Sequence, residues 1–125
     1  MPIKQLSLFV ENQPGSLSKV CQVLKENRIN ISTLSLADTR EYGILRLLIQ
    51  EHDRARVVLE KAGYVVKVTD VLALTVPDHP GGLADTLAIL DKHALSVEYM
   101  YAFTYGRSNK AIIVFRFENP DKAVE

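Results

Sequence analysis

Two short stretches of the chain combine residue types that could hold a small carboxylate: Asn12-Gln13-Pro14-Gly15-Ser16-Leu17 and Asp78-His79-Pro80-Gly81-Gly82-Leu83. The second repeats the first, Pro80 following Pro14 by 66 positions (80 − 14). Each comes after an apolar run ending in Val (Val10, Val76) and opens a helical pattern, so each lies where a strand hands over to a helix. The first backbone amides of a helix have no intrahelical partner, and the positive end of the helix dipole stands behind them. Gly15 lets a ligand approach the backbone, Pro14 gives up a donor not needed there, and Asn12 offers both a donor and an acceptor. The same residues are also ordinary turn chemistry: Pro-Gly after Asn or Asp starts a helix well with no ligand at all. Both readings stand at this point.

Periodicity supplies the elements around these turns. Leu6, Leu8 and Val10 alternate on one face of a strand over residues 3–10, with Phe9 opposite. Leu17, Val20, Cys21 and Leu24 then fall at helical spacing and predict one buried face, with Cys21 a small buried thiol inside it. Residues 28–37 alternate as a second strand, and 44–50 as a third that closes a hairpin. Asp53 has the chemistry of a cap for a helix with Ala55, Val58, Leu59 and Ala62 on its face, ended by Gly63. Residues 64–69 are a fourth strand. This order is the split βαβ arrangement called ferredoxin-like, an antiparallel sheet with two helices on one face.

The pattern then restarts with almost no linker. Residues 71–76 repeat the first strand, Leu83, Thr86, Leu87 and Leu90 the helix face, 95–103 the second strand and 111–117 the third. Asp121-Lys122-Ala123 matches Asp53-Arg54-Ala55, so the given sequence stops one turn into the last helix, and the fourth strand of this repeat is absent. The expected organisation is α+β, with a first repeat over 1–69 and a truncated second over 70–125. The apolar edge beside residues 71–76 needs a cover. The strand over 64–69 could supply it by pairing on both sides, or a partner chain could. Tyr99, Tyr101, Phe103 and Tyr105 form a period-two aromatic stripe, read as a packed sheet face or dimer surface, or as a pocket wall.

Composition removes several classes of function. Fifteen basic and fifteen acidic side chains leave no net charge, and residues 44–49 lack the aromatics of an RNA-binding sheet, so no nucleic-acid partner is expected. One cysteine and three scattered histidines (52, 79, 93) offer no metal set, and no nucleophile–base pair or carboxylate pair suggests an enzyme or a cofactor. With no signal pattern and no apolar run near the roughly 20 residues of a membrane helix, the protein is expected to be cytoplasmic.

The element order, the doubled Pro-Gly turn, and Arg28-Ile29-Asn30-Ile31 opening the second strand together resemble the ACT domain. Leu95-Ser96-Val97 beside the second turn resembles another copy, and the likeness covers nearly the whole chain. The resemblance implies a non-catalytic regulatory module that binds a small molecule, most often an amino acid, between ACT units. In ACT domains that hold serine, an Asn before the Pro-Gly and an Asn opening the second strand contact the effector. Asn12 and Asn30 occupy those positions, while Val10 stands where such domains use a histidine. The implied ligand-binding residues are Asn12, Gln13, Pro14, Gly15, Ser16, Leu17, Asn30 and Ile31, with Asp78, His79, Gly81, Gly82 and Leu83 in the second copy. The first turn is the better carboxylate site, because Asp78 would repel one and suits an ammonium or a helix cap instead. A homodimer and a separate regulated protein are the partners implied. The rival reading is a ligand-free assembly module acting through its sheet edges.

Overall fold

The computed structural model describes residues 2–11, 13–38, 42–104 and 110–117. The chain divides into two compact units, one spanning Lys4–Thr69 and the other built from Met1–Ile3 and Asp70–Glu125.

The first unit contains β1 (Pro2–Glu11) from Lys4 on, α1 (Ser16–Glu26), β2 (Thr33–Asp38), β3 (Tyr42–Leu48), α2 (His52–Lys61) and the start of β4 (Val66–Pro77). Its strands lie in the order β2-β3-β1-β4. Leu6 pairs with Leu47 and Leu8 with Leu45, which puts the period-two leucines on one face, where Val20, Leu24, Ala55 and Leu59 of the helices cover them. None of these eight is more than 1% exposed. Burial of each leucine stabilises the unit by about 1.5–3 kcal/mol. The helix stripe is narrower than its spacing suggests. Cys21 is only half-buried, and Leu17 is 37% exposed because it sits in the first turn of α1, before the helix has descended onto the sheet.

The second unit contains the rest of β4, then α3 (Gly82–Lys92), β5 (Val97–Thr104) and β6 (Lys110–Phe117), with strand order β4-β6-β5. Its core is Leu72, Val76, Leu90, Ile113, Phe115 and Phe117. Phe115 lies between Leu72 of β4 and Met100 of β5 and stacks on Phe117, ring centroids 5.5 Å apart. Tyr99, Tyr101 and Phe103 alternate with Met100 and Ala102, so the aromatic stripe lies on the sheet face away from Phe115, half-buried. Tyr105 and Asp121-Lys122-Ala123 fall outside the described residues.

Three of the differences from the sequence expectation have a local reason. The second strand begins at Thr33, not Arg28, because Arg28 and Ile29 are used to end α1. The cap of α2 is Glu51 rather than Asp53, which lies in the first turn, and Arg54 bonds the Glu51 carboxylate at 2.9 Å while donating to the carbonyl of Asn27 at 2.7 Å. The strands expected at 64–69 and 71–76 are one uninterrupted strand, since nothing but Asp70 separates two β-branched runs.

The three helices among the described residues end the same way. The residue after the cap turns left-handed, at Arg28 (φ 55°), Gly63 (φ 98°) and Ala94 (φ 54°). The next amide reaches back to the last turn, Ile29 to the carbonyl of Leu24 at 2.9 Å, Tyr64 to Leu59 at 3.1 Å and Leu95 to Leu90 at 3.1 Å. This is the Schellman closure, in which glycine is favoured at the left-handed position. Only α2 has it. Ala94→Gly is therefore expected to stabilise the protein by roughly 0.5–1 kcal/mol, the relief of left-handed strain less the entropy of glycine. The check is a higher urea midpoint at unchanged slope.

Candidate functional site

The first turn is built by its backbone. The amide of Gln13 donates to the carbonyl of Glu11 at 2.9 Å, that of Ser16 to Gln13 at 3.2 Å and that of Lys19 to Gly15 at 2.9 Å. Gly15 is the cap of α1 at φ 87°, so this glycine is required by conformation. It brings no capping side chain, and the amides of Leu17 and Ser18 have no partner among the described residues. The second turn repeats the scheme: Gly82 donates to His79 at 3.0 Å, Asp85 to Gly81 at 2.9 Å, and Gly81 caps α3 at φ 89°. Asp78 is thus not the cap of α3, which removes the capping role open to it in sequence.

Beyond the backbone the two turns diverge. Gly82 is buried, and a Cβ there would overlap the carbonyl oxygen of Pro77, so the start of α3 is packed against the end of β4. His79 turns its Nδ1 to the carbonyl of Pro80 at 3.0 Å. In the first turn the residue matching Gly82 is Ser16, half-buried, and beside it a cavity of about 390 Å³ opens. Its lining includes Glu11, Lys19, Ser16, Phe9, Tyr42 and Tyr64.

The wall residues come from several elements of the first unit. Glu11 and Tyr42 are cross-strand partners where β1 and β3 meet. Lys19 follows Ser16 by one turn of α1 and so shares its side. Tyr64 is fixed by the Schellman closure of α2 and packs against the first core. Glu11 and Lys19 make no ion pair with each other or with any described residue.

Of the other residues nominated from sequence, Gln13, Pro14 and Gly15 are exposed beside the cavity, and Asn12 lies outside the described residues. Asn30 is exposed and Ile31 packs on the first core. Within the first unit Asn30 is not brought to the turn. Asp38 and Val10 both pair with Gly43, which sets the far end of β2 next to the turn, whereas Thr33 pairs with Leu48 at the opposite end of the sheet. Asn30 precedes Thr33. Helix α1, about 16 Å long for its 11 residues, runs between the turn and the loop that carries Asn30. Leu83 is 39% exposed, matching Leu17 at 37%. Among the described residues no group of His, Cys, Asp and Glu could hold a metal ion, and no helix is long and apolar enough to cross a membrane.

A family model described as an ACT domain pair matches residues 1–125. The chain belongs to that family. Among curated proteins, the acetolactate synthase small subunit of Buchnera aphidicola subsp. Baizongia pistaciae (strain Bp) is 30% identical over 70 residues, covering 56% of this chain and 44% of its own length. The chain therefore spans less than half of that relative. Among solved structures, a protein from Bacteroides thetaiotaomicron is 39% identical over 99% of this chain and 85% of its own, with a TM-score of 0.92. The regulatory subunit of aspartate kinase from Thermus thermophilus matches 90% of this chain and 80% of its own at 18% identity, TM-score 0.69, a likeness of fold.

The expected ACT repeats in an α+β fold are thus present. The Pro-Gly motif pointed to the turn but not to Glu11, Lys19, Tyr42 and Tyr64. Pairing residues 3–11 with 42–50 by their alternation would have placed Tyr42 beside Glu11. A glycine ending α2 directly before Tyr64 was the signal for a tyrosine held in a fixed closure.

Proposed function

We propose that this ACT pair is a non-catalytic sensor that binds an amino acid at its first Pro-Gly turn. The observation that carries this reading is the cavity beside Ser16, lined at a helix start that has no side-chain cap by Glu11 and Lys19, which make no ion pair among the described residues. A zwitterion suits such a place, because both of its ends find partners away from water. The small-subunit name of the Buchnera relative supports a regulated protein on a separate chain. Such coupling needs two states of different affinity for the ligand.

Thermal unfolding against each common amino acid, with scattering from the same samples, tests the reading. A ligand at about 100 times its Kd adds roughly 2.7 kcal/mol and raises Tm by several degrees. Asn12→Ala with Asn30→Ala is expected to abolish that rise while leaving the ligand-free melt in place. Since Asn30 lies far from the turn of its own unit, it serves this ligand from another copy of the chain, between ACT units. An unchanged rise in the double variant would remove both asparagines from the site.

One feature favours the assembly reading instead. Strand β2 ends the strand order of the first unit, with Leu34 and Leu36 46% and 49% exposed, and β5 ends that of the second, with Met100 41% exposed. No rise with any amino acid, from a stable oligomer, would support ligand-free assembly through these edges.

A further inference from the structure

Helices α1 and α3 end in the same backbone closure, but the end of α1 is also held from outside. Arg54, in the first turn of α2, donates to the carbonyls of Asn27 at 2.7 Å and Arg28 at 3.4 Å, and to the Glu51 carboxylate at 2.9 Å. Asn27 is the cap of α1 and Arg28 the left-handed residue after it. In the second repeat α3 closes with the matching bonds, Ala94 to Asp91 at 3.0 Å and Leu95 to Leu90 at 3.1 Å, and among the described residues no side chain reaches the carbonyls of His93 and Ala94. The helix ending therefore forms without a clamp.

What the clamp does fix is the stretch that follows. The amide of Ile29 is bound to Leu24 and that of Ser32 to the carbonyl of Leu48 at 2.8 Å, while the amides of Asn30 and Ile31 have no partner among the described residues. Asn30 is exposed, so its direction is set by the two ends of this stretch. Arg28 holds a left-handed backbone at φ 55°, which costs a residue with a side chain about 1–2 kcal/mol and gives the first end a reason to relax. One planar guanidinium, anchored by Glu51 and donating to both carbonyls, opposes that relaxation. The clamp goes with the asparagine: the second repeat has Ser96 at the position of Asn30.

We infer that Arg54 is a positioning residue for ligand binding, holding residues 28–32 so that Asn30 is presented in one orientation to an amino acid bound by another copy of the chain. The inference rests on the amino-acid reading proposed above and adds to it a residue that itself touches no ligand. When the competent arrangement of a loop is populated only part of the time, the apparent Kd rises by the inverse of that fraction, so loss of the clamp acts on affinity without removing a contact.

The Arg54 side chain is 46% exposed, so its replacement leaves the first core in place, which the ligand-free melt verifies. Calorimetric titration of the whole chain with the common amino acids gives Kd for wild type, Arg54→Met, Asn30→Ala and the double variant. Asn30→Ala alone leaves the contacts of the first turn, so its weaker binding stays measurable. Arg54→Met is expected to weaken the amino acid that wild type binds most tightly by about fivefold or more, and to weaken it no further once Asn30 is replaced. Arg54→Lys keeps a donor for the Asn27 carbonyl and should recover part of the loss; it replaces Arg54→Met in the cycle if that variant melts early. With no amino acid present, hydrogen exchange at the Ser32 amide should quicken in Arg54→Met. The same loss repeated on the Asn30→Ala background, unchanged affinity in Arg54→Met, or unchanged exchange at Ser32 would overturn the positioning role and leave the sensor standing. Binding of no amino acid by wild type would overturn the sensor and this role with it.

Discussion

Gly82→Ala is expected to unfold the second unit, at a cost of roughly 3 kcal/mol or more, while Gly81→Ala next to it costs only about 1–2. The two glycines are required for different reasons. Gly81 is left-handed at φ 89° with open space around it, so alanine there meets only backbone strain. Gly82 has no such φ, but its missing side chain is what lets the first residue of α3 lie against the carbonyl of Pro77. A methyl group must push either the helix or the end of β4 aside, and both carry the core made by Val76 and Leu90. Urea unfolding, with hydrogen exchange at the amides of β4 and β6, measures the loss. Ser16→Ala at the matching position of the first turn should stay within about 0.5 kcal/mol of wild type. If Gly82→Ala costs no more than Gly81→Ala, the Pro77 carbonyl moves freely, and the packed second turn is not a barrier to a ligand.

Phe115→Ala is expected to remove about 3–5 kcal/mol, a large share of the stability of a domain this size. Its ring is fully buried on the middle strand of the second unit, between Leu72 and Met100, with Phe117 stacked at an interplanar angle of 14°. Alanine leaves a void that no neighbour fills, because the partly buried residues around this core, Leu74, Leu87, Leu95 and Val97, are held by other strands and by the helix. Denaturant unfolding at constant slope gives the number. A cost under 1 kcal/mol would show that the core closes over the gap and that the aromatic stack is incidental.

The elements of the fold could be read because their causes are local. Alternating Leu6, Leu8 and Val10, helical spacing of Val20 with Leu24 and of Ala55 with Leu59, and Gly63 after the last turn of α2 are signals written over a few residues, and the structure uses each as spaced. What could not be read depends on distance. Leu17 fits the buried stripe by spacing yet is exposed, since burial depends on where along α1 the sheet lies below it. The cavity gathers Phe9, Glu11, Lys19, Tyr42 and Tyr64 from four elements, and only the pairing of β1 with β3 and the closure of α2 bring them together. Gly82 looked like a second flexible glycine in a ligand turn, whereas its reason is a carbonyl contributed by the preceding strand.

The unbroken run of β4 from Val66 to Pro77 has a consequence for handling the protein. Proteases cut where a chain can be drawn out into an extended, accessible loop, and at the boundary between the two repeats there is only ladder-bonded strand. Trypsin has Lys67 available by sequence and should nonetheless spare it in the native state. A fragment stopping at Thr69 would expose a severed strand end, an invitation to pair with other molecules. Stitching a spacer of glycine and serine in after Asp70 would be the harsher operation, since it breaks a strand that runs without interruption from Val66 to Pro77.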